Sequence, residues 1–464
     1  MKRKRTFVLA ILFIAFGLRV ILAFINRQAN DDHMEVINWI VNKANVPIRD
    51  NCGICYQPKF FYVISANIIT FFKIQTDDHR IIAIQLFNAI LGFFTILFFW
   101  KFINKQPFND STKLLLFAFF AFNPCLTGIN IQATNDTLVI LGGVMSVYFC
   151  DLFFRNITVT NFIFLMASLL VCSLTKTTGL IVFLVISVFF ILKTIAQPNI
   201  NQRLKLSKYF IGAILIFIGV VVFAGGYYTY YKKYKSLPTT AWNNADPPPS
   251  FFKETTFSVG FPGRPGVLNM ASSFFTFRYF DMIKQPYINN EVGNYPMHRT
   301  SVWSQLYGRT AFVQFDQWPP AWQTVDSFIV FIGRVLIILG LIPLLLFLSG
   351  LCGGVFLFFK NVFKNGKTYL ASENNYLHLG ITFALFAASL KYSYDIRDFS
   401  AMKSIYIFPG FISFIKLIAD GYASVKFRVV TKIINVGLIV IIAFSITDIC
   451  YLIYHLKYNL GNIF

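Results

Sequence analysis

The sequence predicts an all-α, polytopic integral membrane protein, and three observations carry that prediction. Hydrophobic residues make up 56% of the 464 positions and charged residues only 13%, with a mean hydropathy of +0.61. Apolar runs of about 18 residues or more recur along the chain, each long enough to cross roughly 30 Å of hydrocarbon as a helix. Between them no stretch is large enough for a soluble domain, apart from one polar, Pro-rich and aromatic segment at 229–326.

Taken in order, the runs assign eleven spans, at 7–25, 80–103, 112–130, 134–154, 159–174, 177–195, 209–228, 327–349, 376–393, 404–420 and 430–451. The first follows MKRKR and has no small-residue cleavage site after it, so it reads as a retained helix rather than a signal peptide. Segment 58–73, PKFFYVISANIITFFK, is too short and too polar at its start to cross, and is expected to lie along the outer interface. With that parity the basic clusters Lys101/Lys105/Lys113, Arg203/Lys205/Lys208, Lys360/Lys364/Lys367 and Lys426/Arg428/Lys432 fall on one side. Lys and Arg resist translocation, so that side is the cytoplasmic one and the N-terminus lies there. Three regions result: 1–228, a transmembrane module with a first external loop at 26–79; 229–326, an external loop region; and 327–464, the C-terminal helices. The net charge of +21 is spread over these short clusters and not over one soluble face, which argues against nucleic acid as a partner.

The same parity brings four polar stretches to the outer face: Asp31 and Asp32 in NRQANDDHMEVIN, Asp136 in NIQATND, the 229–325 segment, and KYSYDIRDFSAMK at 391–403. Charges just beyond a membrane helix are ordinarily solvated ends. Here, however, Asp136 is followed at once by TLVILGGVM, which puts a carboxylate at a helix start where the dipole favours an anion. Asp31 and Asp32 are adjacent, and neighbouring carboxylates in a partly desolvated cleft divide into one of raised pKa and one poised as a base.

In content and order these pieces resemble the GT-C superfamily of polyprenyl-phosphate-sugar glycosyltransferases, in the branch of the protein O-mannosyltransferases and the lipid A aminoarabinose transferase. The acidic pair after the first helix is matched by Asp31 and Asp32, and the Pro-aromatic juxtamembrane motif by YQPKFFYVI at 56–64. The acidic motif that opens a later helix is matched by IQATNDTLVIL with Asp136. A short TKG motif is matched by LTKTTGLIVFL with Lys176, and a late Lys-Pro motif by MKSIYIFPGF with Lys403, Tyr406 and Pro409. Two departures stand out: Gln57 occupies the family's Lys before Pro58, with Lys59 one place beyond it, and the second acid is Asp32 where Glu is common. No large soluble domain follows the last helix in this sequence, so acceptor recognition is expected in the helices and the 229–325 segment.

The resemblance implies GT-C architecture and a hexosyl- or pentosyltransferase that moves a sugar from a polyprenyl-phosphate donor to a glycan, lipid or protein acceptor, on the outer face of a bacterial cytoplasmic membrane. Such chemistry needs a base for the acceptor hydroxyl and cations for the phosphate leaving group. Asp31 is the expected base, with Asp32 and Asp136 orienting it or the acceptor, in a single inverting displacement. Lys403 and Arg397 are the first candidates for the phosphate, followed by Arg309, Lys176 and Lys59, because Arg grips phosphate with two prongs and Lys supplies a compact charge. Gln57, Tyr406, Trp303 and Tyr307 are expected to line the substrate.

The 229–325 segment holds the turn ADPPPS, the loop GFPGRPG and the rings Trp303, Tyr307, Trp318 and Trp322, fit for stacking on sugars or resting at the headgroups. Its length without obvious regular structure suits a lid. Cys52 and Cys55 form CGIC in the first outer loop, open to a disulfide, a pair of thiols or, with His33, a metal; the other five cysteines read as small core residues. No cofactor is called for, and the sequence does not support a divalent metal. The rival readings are another polyprenyl-linked enzyme, such as a glycan polymerase or ligase, and a transporter. Against the transporter, the acids cluster at helix ends on one side and the two halves show no repeat.

Overall fold

A computed structural model describes residues 2–29, 32–235, 270–287, 297–315, 322, 326–395 and 402–461. Asp31, Arg397, the ADPPPS turn, the GFPGRPG loop and Trp318 lie outside the described residues.

Among the described residues every regular element is helical. Helix α1 (Lys2–Ile25) is followed by the short α2 (His33–Lys43) and α3 (Phe60–Phe71). Then come α4 (Asp77–Asn104), the pair α5 (Asp110–Ala121) and α6 (Pro124–Asn130), α7 (Asp136–Arg155), α8 (Val159–Thr175), α9 (Thr178–Ala196) and α10 (Ile200–Phe217). Four short helices follow, α11 (Tyr227–Tyr234), α12 (Met270–Phe275), α13 (Tyr279–Lys284) and α14 (Val302–Ala311). The chain closes with α15 (Ser327–Leu339), α16 (Leu341–Ser372), α17 (Asn375–Asp395), α18 (Phe411–Ser424) and α19 (Arg428–Gly461).

Among the described residues seven helical stretches are long and apolar enough to cross a membrane, or eight if the bent pair α5–α6 is one span. The starts are chemically marked. Thr76, Asn109, Asn123 and Thr158 each accept a backbone N–H from the first turn of the helix that follows, and Asp77 and Asp78 lie where the dipole favours negative charge. At twelve residues, α3 rises only about 18 Å, short of the hydrocarbon thickness.

Several expected boundaries shift. The span expected at 112–130 is broken at Phe122–Asn123 by a 49° bend, where Asn123 caps α6 and Pro124 opens it. The span expected at 404–420 is helical in the α sense only from Phe411. Before it the chain makes two 3₁₀ turns, Ser404–Tyr406 and Phe408–Gly410, because Pro409 supplies no N–H to a continuous helix. The span expected at 327–349 bends at Gly340 and runs on to Ser372, so Lys360, Lys364 and Lys367 sit on helix and not in a loop; Gly366, at φ 48°, interrupts the winding among them. The 229–326 region, expected without regular structure, contains α12, α13 and α14.

Helix α7 is the axis of the molecule: 83% of its apolar window is buried, and it packs against α4, α8, α9 and α18. Glycines let neighbours close on it. A Cβ at Gly142 would sit 2.9 Å from the Cys172 backbone of α8, and one at Gly143 would strike the Pro409 carbonyl. The helix ends sort by charge. Where α1 begins and α4 and α7 finish, Lys4 meets Asp110 at 2.6 Å, Arg155 meets Asp151 at 2.8 Å and Lys205 donates to the Ile157 carbonyl at 3.0 Å. The opposite end receives the loop after α1, the start of α7 and the end of α8.

Helices α16 and α18 cross at reciprocal small residues. A Cβ on Gly350 would collide with the Leu417 carbonyl, and one on Gly421 with the Leu346 carbonyl. Between helices in lipid, close approach of this kind replaces the missing hydrophobic drive. Gly421→Leu is therefore expected to cost about 1–3 kcal/mol by overpacking, read as a lower melting temperature in detergent. Gly353→Ala, which meets no atom within 4 Å, serves as the unchanged control. Equal melting of the two variants would refute the crossing.

Candidate active site

At the end opposite the basic clusters lies a cavity of about 620 Å³ lined by Asp32, Gln57, Asp136, Lys176, Arg309, Lys403 and Tyr406. These residues come from five separate parts of the chain, and each is aimed by local structure. Asp32 takes the N-cap position of α2 but its side chain caps nothing, so the exposed carboxylate is left for the cavity. Beside it a Cβ on Gly53 would lie 3.4 Å from Asp32 Oδ2. Gly53 stands inside the turn closed by a Cys52–Cys55 disulfide, the first of the three states the sequence left open. Asp50 ties this loop to α11, accepting from Lys233 Nζ at 3.1 Å and Tyr234 Oη at 2.9 Å, and those hydrogen bonds hold its carboxyl below the ordinary range.

Asp136 is the first residue of α7 and only 5% exposed. Lys176 ends α8 in an extended conformation, which turns its side chain back across Asp136; Nζ donates to Oδ1 at 2.5 Å and lies 5.4 Å from the centre of the Tyr406 ring. Arg309, buried on the last turns of α14, donates from Nε to Gln305 Oε1 at 3.2 Å. Lys403, half-buried, precedes the first 3₁₀ turn before α18. Three cations, Lys176, Arg309 and Lys403, thus line the cavity with two carboxylates, Asp32 and Asp136.

A second cavity of about 390 Å³, almost wholly apolar, abuts the first. Residues 123–125, 306–309 and 404–408 divide between the two walls. Trp303 and Tyr307, expected to line the substrate, line this apolar cavity. Their polar tips are taken by backbone, Trp303 Nε1 by the Phe274 carbonyl at 2.6 Å and Tyr307 Oη by the Ile337 carbonyl at 2.5 Å, and the rings are left facing inward. Lys59 also departs from expectation. Its ammonium donates to the Cys55 carbonyl at 2.5 Å, bracing the disulfide turn, and burial pushes its pKa down to about 8. Asp31 and Arg397 lie outside the described residues. Among the described residues no three His, Cys, Asp or Glu side chains come together as a metal site.

The back wall is the turn 131–135, held by residues the motif reading passed over. Asn88 Nδ2 donates to the Gln132 carbonyl at 2.5 Å and the Thr134 carbonyl at 2.8 Å. Arg19, fully buried, donates from Nε to Asn130 Oδ1 at 3.0 Å, and Asn26 reaches the Ile131 carbonyl at 3.4 Å. Asp448 on α19 accepts from the Val313 N–H at 3.0 Å and Gln314 Nε2 at 3.4 Å, fixing the strip beside Arg309. A sequence signal existed for three of them: Arg19, Asn88 and Asp448 are polar residues inside apolar runs, where such groups carry a cost and need a partner.

No family model and no curated protein matches the chain. Among solved structures it is similar to ArnT from Cupriavidus metallidurans bound to undecaprenyl phosphate, at 10% identity and a TM-score of 0.39 over 89% of this chain and 77% of that one. ArnT in the apo state gives 12% and 0.38 over 89% and 76%. The archaeal oligosaccharyltransferase AglB from Archaeoglobus fulgidus, in complex with an inhibitory peptide and a dolichol-phosphate, gives 12% and 0.47 over 97% of this chain; the chain spans 56% of AglB's length.

The Asp136–Lys176 pair is desolvated on both sides, with side chains 7% and 15% exposed. Lys176→Met leaves a buried carboxylate without its cation, an expected loss of about 3–5 kcal/mol. Adding Asp136→Asn should recover most of it, so thermal unfolding of the four proteins of the cycle is expected to be strongly non-additive. Additive losses would mean that the two groups do not depend on each other.

Proposed function

We propose that the protein is a membrane glycosyltransferase that moves a sugar from a polyprenyl-phosphate donor to a hydroxyl of a lipid, polysaccharide or protein acceptor. The observation that carries this reading is a charged cavity and an apolar one walled by adjacent residues of the same three segments. A lipid-linked sugar phosphate has the same two-part character: an anion bearing a polar ring, and a long hydrocarbon chain. Lys403, Arg309 and Lys176 supply positive charge for the phosphate, with Arg397 a further candidate from the sequence, and the cavity beside Trp303 and Tyr307 offers rings and aliphatic side chains to the first isoprene units.

In the reaction so read, a carboxylate of the Asp31–Asp32 pair takes the proton from the acceptor hydroxyl. The acceptor oxygen attacks the anomeric carbon, the bond from that carbon to the phosphate oxygen breaks, and the polyprenyl phosphate leaves with the bonding electrons. One displacement inverts the anomeric centre, and no sugar becomes attached to the protein. Negative charge grows on the departing phosphate, so fixed cations there favour the transition state over the ground state. Asp136 is not assigned the proton, because Lys176 already neutralises it at 2.5 Å. Its part is to hold Lys176 and orient the acceptor. The position of the basic clusters at the far end of the helices supports a cavity facing the outside of a bacterial cytoplasmic membrane, with the N-terminus inside.

Purified protein in detergent, given a polyprenyl-phosphate sugar and no ion gradient, is expected to release polyprenyl phosphate in an acceptor-dependent way; solute movement that requires a gradient, without release, would favour the transporter. Asp31→Asn and Asp32→Asn made separately should identify the base by a loss of about a hundredfold to ten-thousandfold in rate with donor binding retained. Arg309→Ala and Lys403→Ala should each weaken binding of a polyprenyl-phosphate analogue by about 2–5 kcal/mol. Wild-type affinity in both would leave Lys176 and Arg397 as the candidates for the clamp.

A further inference from the structure

Between the acid on the first loop and the ion pair on α7 and α8 runs a chain of four side chains that the motifs did not single out as a unit. His33, the neighbour of Asp32, places Nδ1 2.8 Å from Tyr62 Oη. Tyr62 Oη lies 3.2 Å from Gln57 Oε1. Asn135, the neighbour of Asp136, donates from Nδ2 to the same Gln57 oxygen at 2.6 Å and to the carbonyl of Thr175, the neighbour of Lys176, at 3.2 Å. His33, Tyr62 and Asn135 are buried, with exposures of 3%, 0% and 0%. Each charged group of the cavity's acidic side is thus one residue away from a link of the chain.

The direction of every bond follows from one end. The Thr175 carbonyl can only accept, so Asn135 must present its NH₂ group there, and its second hydrogen goes to Gln57. Gln57 must then present its carbonyl oxygen, which in turn requires Tyr62 to donate its hydroxyl hydrogen. Tyr62 has one hydrogen to give, and its oxygen is left to accept from His33. A neutral His33 is therefore the Nδ1–H tautomer. Amide flips and imidazole tautomers are ordinarily ambiguous, but here a backbone carbonyl removes the ambiguity for all four residues.

We propose that His33–Tyr62–Gln57–Asn135 is a positioning relay, which fixes Asp32 on its loop relative to the Asp136–Lys176 pair on the helices and fixes the His33 tautomer. Asp32 is also carried by α2, whose Met34, Val36 and Ile37 pack with Phe61, Ile84 and Leu138; the relay adds a directional polar tie to that apolar one. Gln57 is the junction, since a single oxygen accepts from both sides. This explains chemically why an amide serves at a position where the resembled family has a lysine: an ammonium has no acceptor and would break the chain at its middle. The proposal rests on reading the cavity as a glycosyl-transfer site for its kinetic consequences, but not for its hydrogen-bond direction.

The test uses full-length protein in detergent, with Tyr62→Phe, Gln57→Leu and the two combined. Each single variant is expected to lower kcat about a hundredfold, the scale of a 1 Å misplacement at a reacting centre, while affinity for polyprenyl phosphate stays within about twofold of wild type, as that contact belongs to other groups. The double variant should be no slower than the worse single, because both cut one chain. Nitrogen-15 labelling of the five histidines, with His33→Gln for assignment and a pH of about 8 to keep imidazoles neutral, should report Nδ1–H at His33 in wild type and a mixture of tautomers in Tyr62→Phe. Unchanged kcat in both singles, multiplying losses in the double, or an Nε2–H signature in the wild type would overturn the relay. If wild-type protein transfers no sugar, the functional reading fails and the nitrogen signature still decides the relay. It also decides if a variant does not fold.

Discussion

The turn from Ile131 to Asn135 is buried, and its carbonyls must find donors within the protein. Backbone polar groups removed from water cost free energy comparable to a lost hydrogen bond, and in a lipid-embedded chain that requirement is at its strictest. Asn88 answers it for Gln132 and Thr134, and Asn26 for Ile131; Arg19 holds Asn130 just before the turn. Much of the site follows from this. With the turn pinned, α7 starts at a fixed height, Asp136 stands at its first position, and Lys176 arrives beside it from the end of α8. The break between α5 and α6 serves the same end, since a straight span through Asn130 would carry the turn away from α4.

A buried carboxylate and a buried ammonium at 2.5 Å are poor evidence for stability, since desolvation of both offsets much of their attraction. The pair is better understood as a fixed element of charge. It keeps a lysine poised at the cavity wall beside Tyr406 without leaving a bare cation in an apolar setting. Arg309 is buried as well, and its Nε donates to the Gln305 amide oxygen.

The helices were legible in the sequence because the apolar runs are long and the starts carry Thr, Asn and Pro at the capping positions. Boundaries failed where a glycine or proline alters the winding without altering the hydropathy, as at Gly340, Pro124 and Pro409. The convergence of Asp32, Gln57, Asp136, Lys176, Arg309, Lys403 and Tyr406 was legible through motif order and charge parity. What the sequence does not show is which backbone carbonyl takes the polar tip of an aromatic residue: for Trp303 and Tyr307 those of Phe274 and Ile337, which leaves the rings in the apolar cavity. Lys59 is likewise taken up by a backbone carbonyl, that of Cys55.

From the sequence His33 stands out only as a possible metal partner of Cys52 and Cys55, and Asn135 only as part of the motif around Asp136; each is the neighbour of a charged residue. In a fold where charged groups come from separate helices and loops, adjacency in sequence is the cheapest way to transmit position. A residue next to a functional carboxylate can turn its side chain into the core while the carboxylate faces the cavity, and through the core it can reach the equivalent neighbour of another charged group. His33 beside Asp32 and Asn135 beside Asp136 reach each other in this way through Tyr62 and Gln57, and Thr175 beside Lys176 adds its backbone carbonyl. In the proposed relay the geometry of the charged face is set by uncharged side chains, two of which, His33 and Gln57, also reach the cavity wall, and a single backbone carbonyl orients every donor.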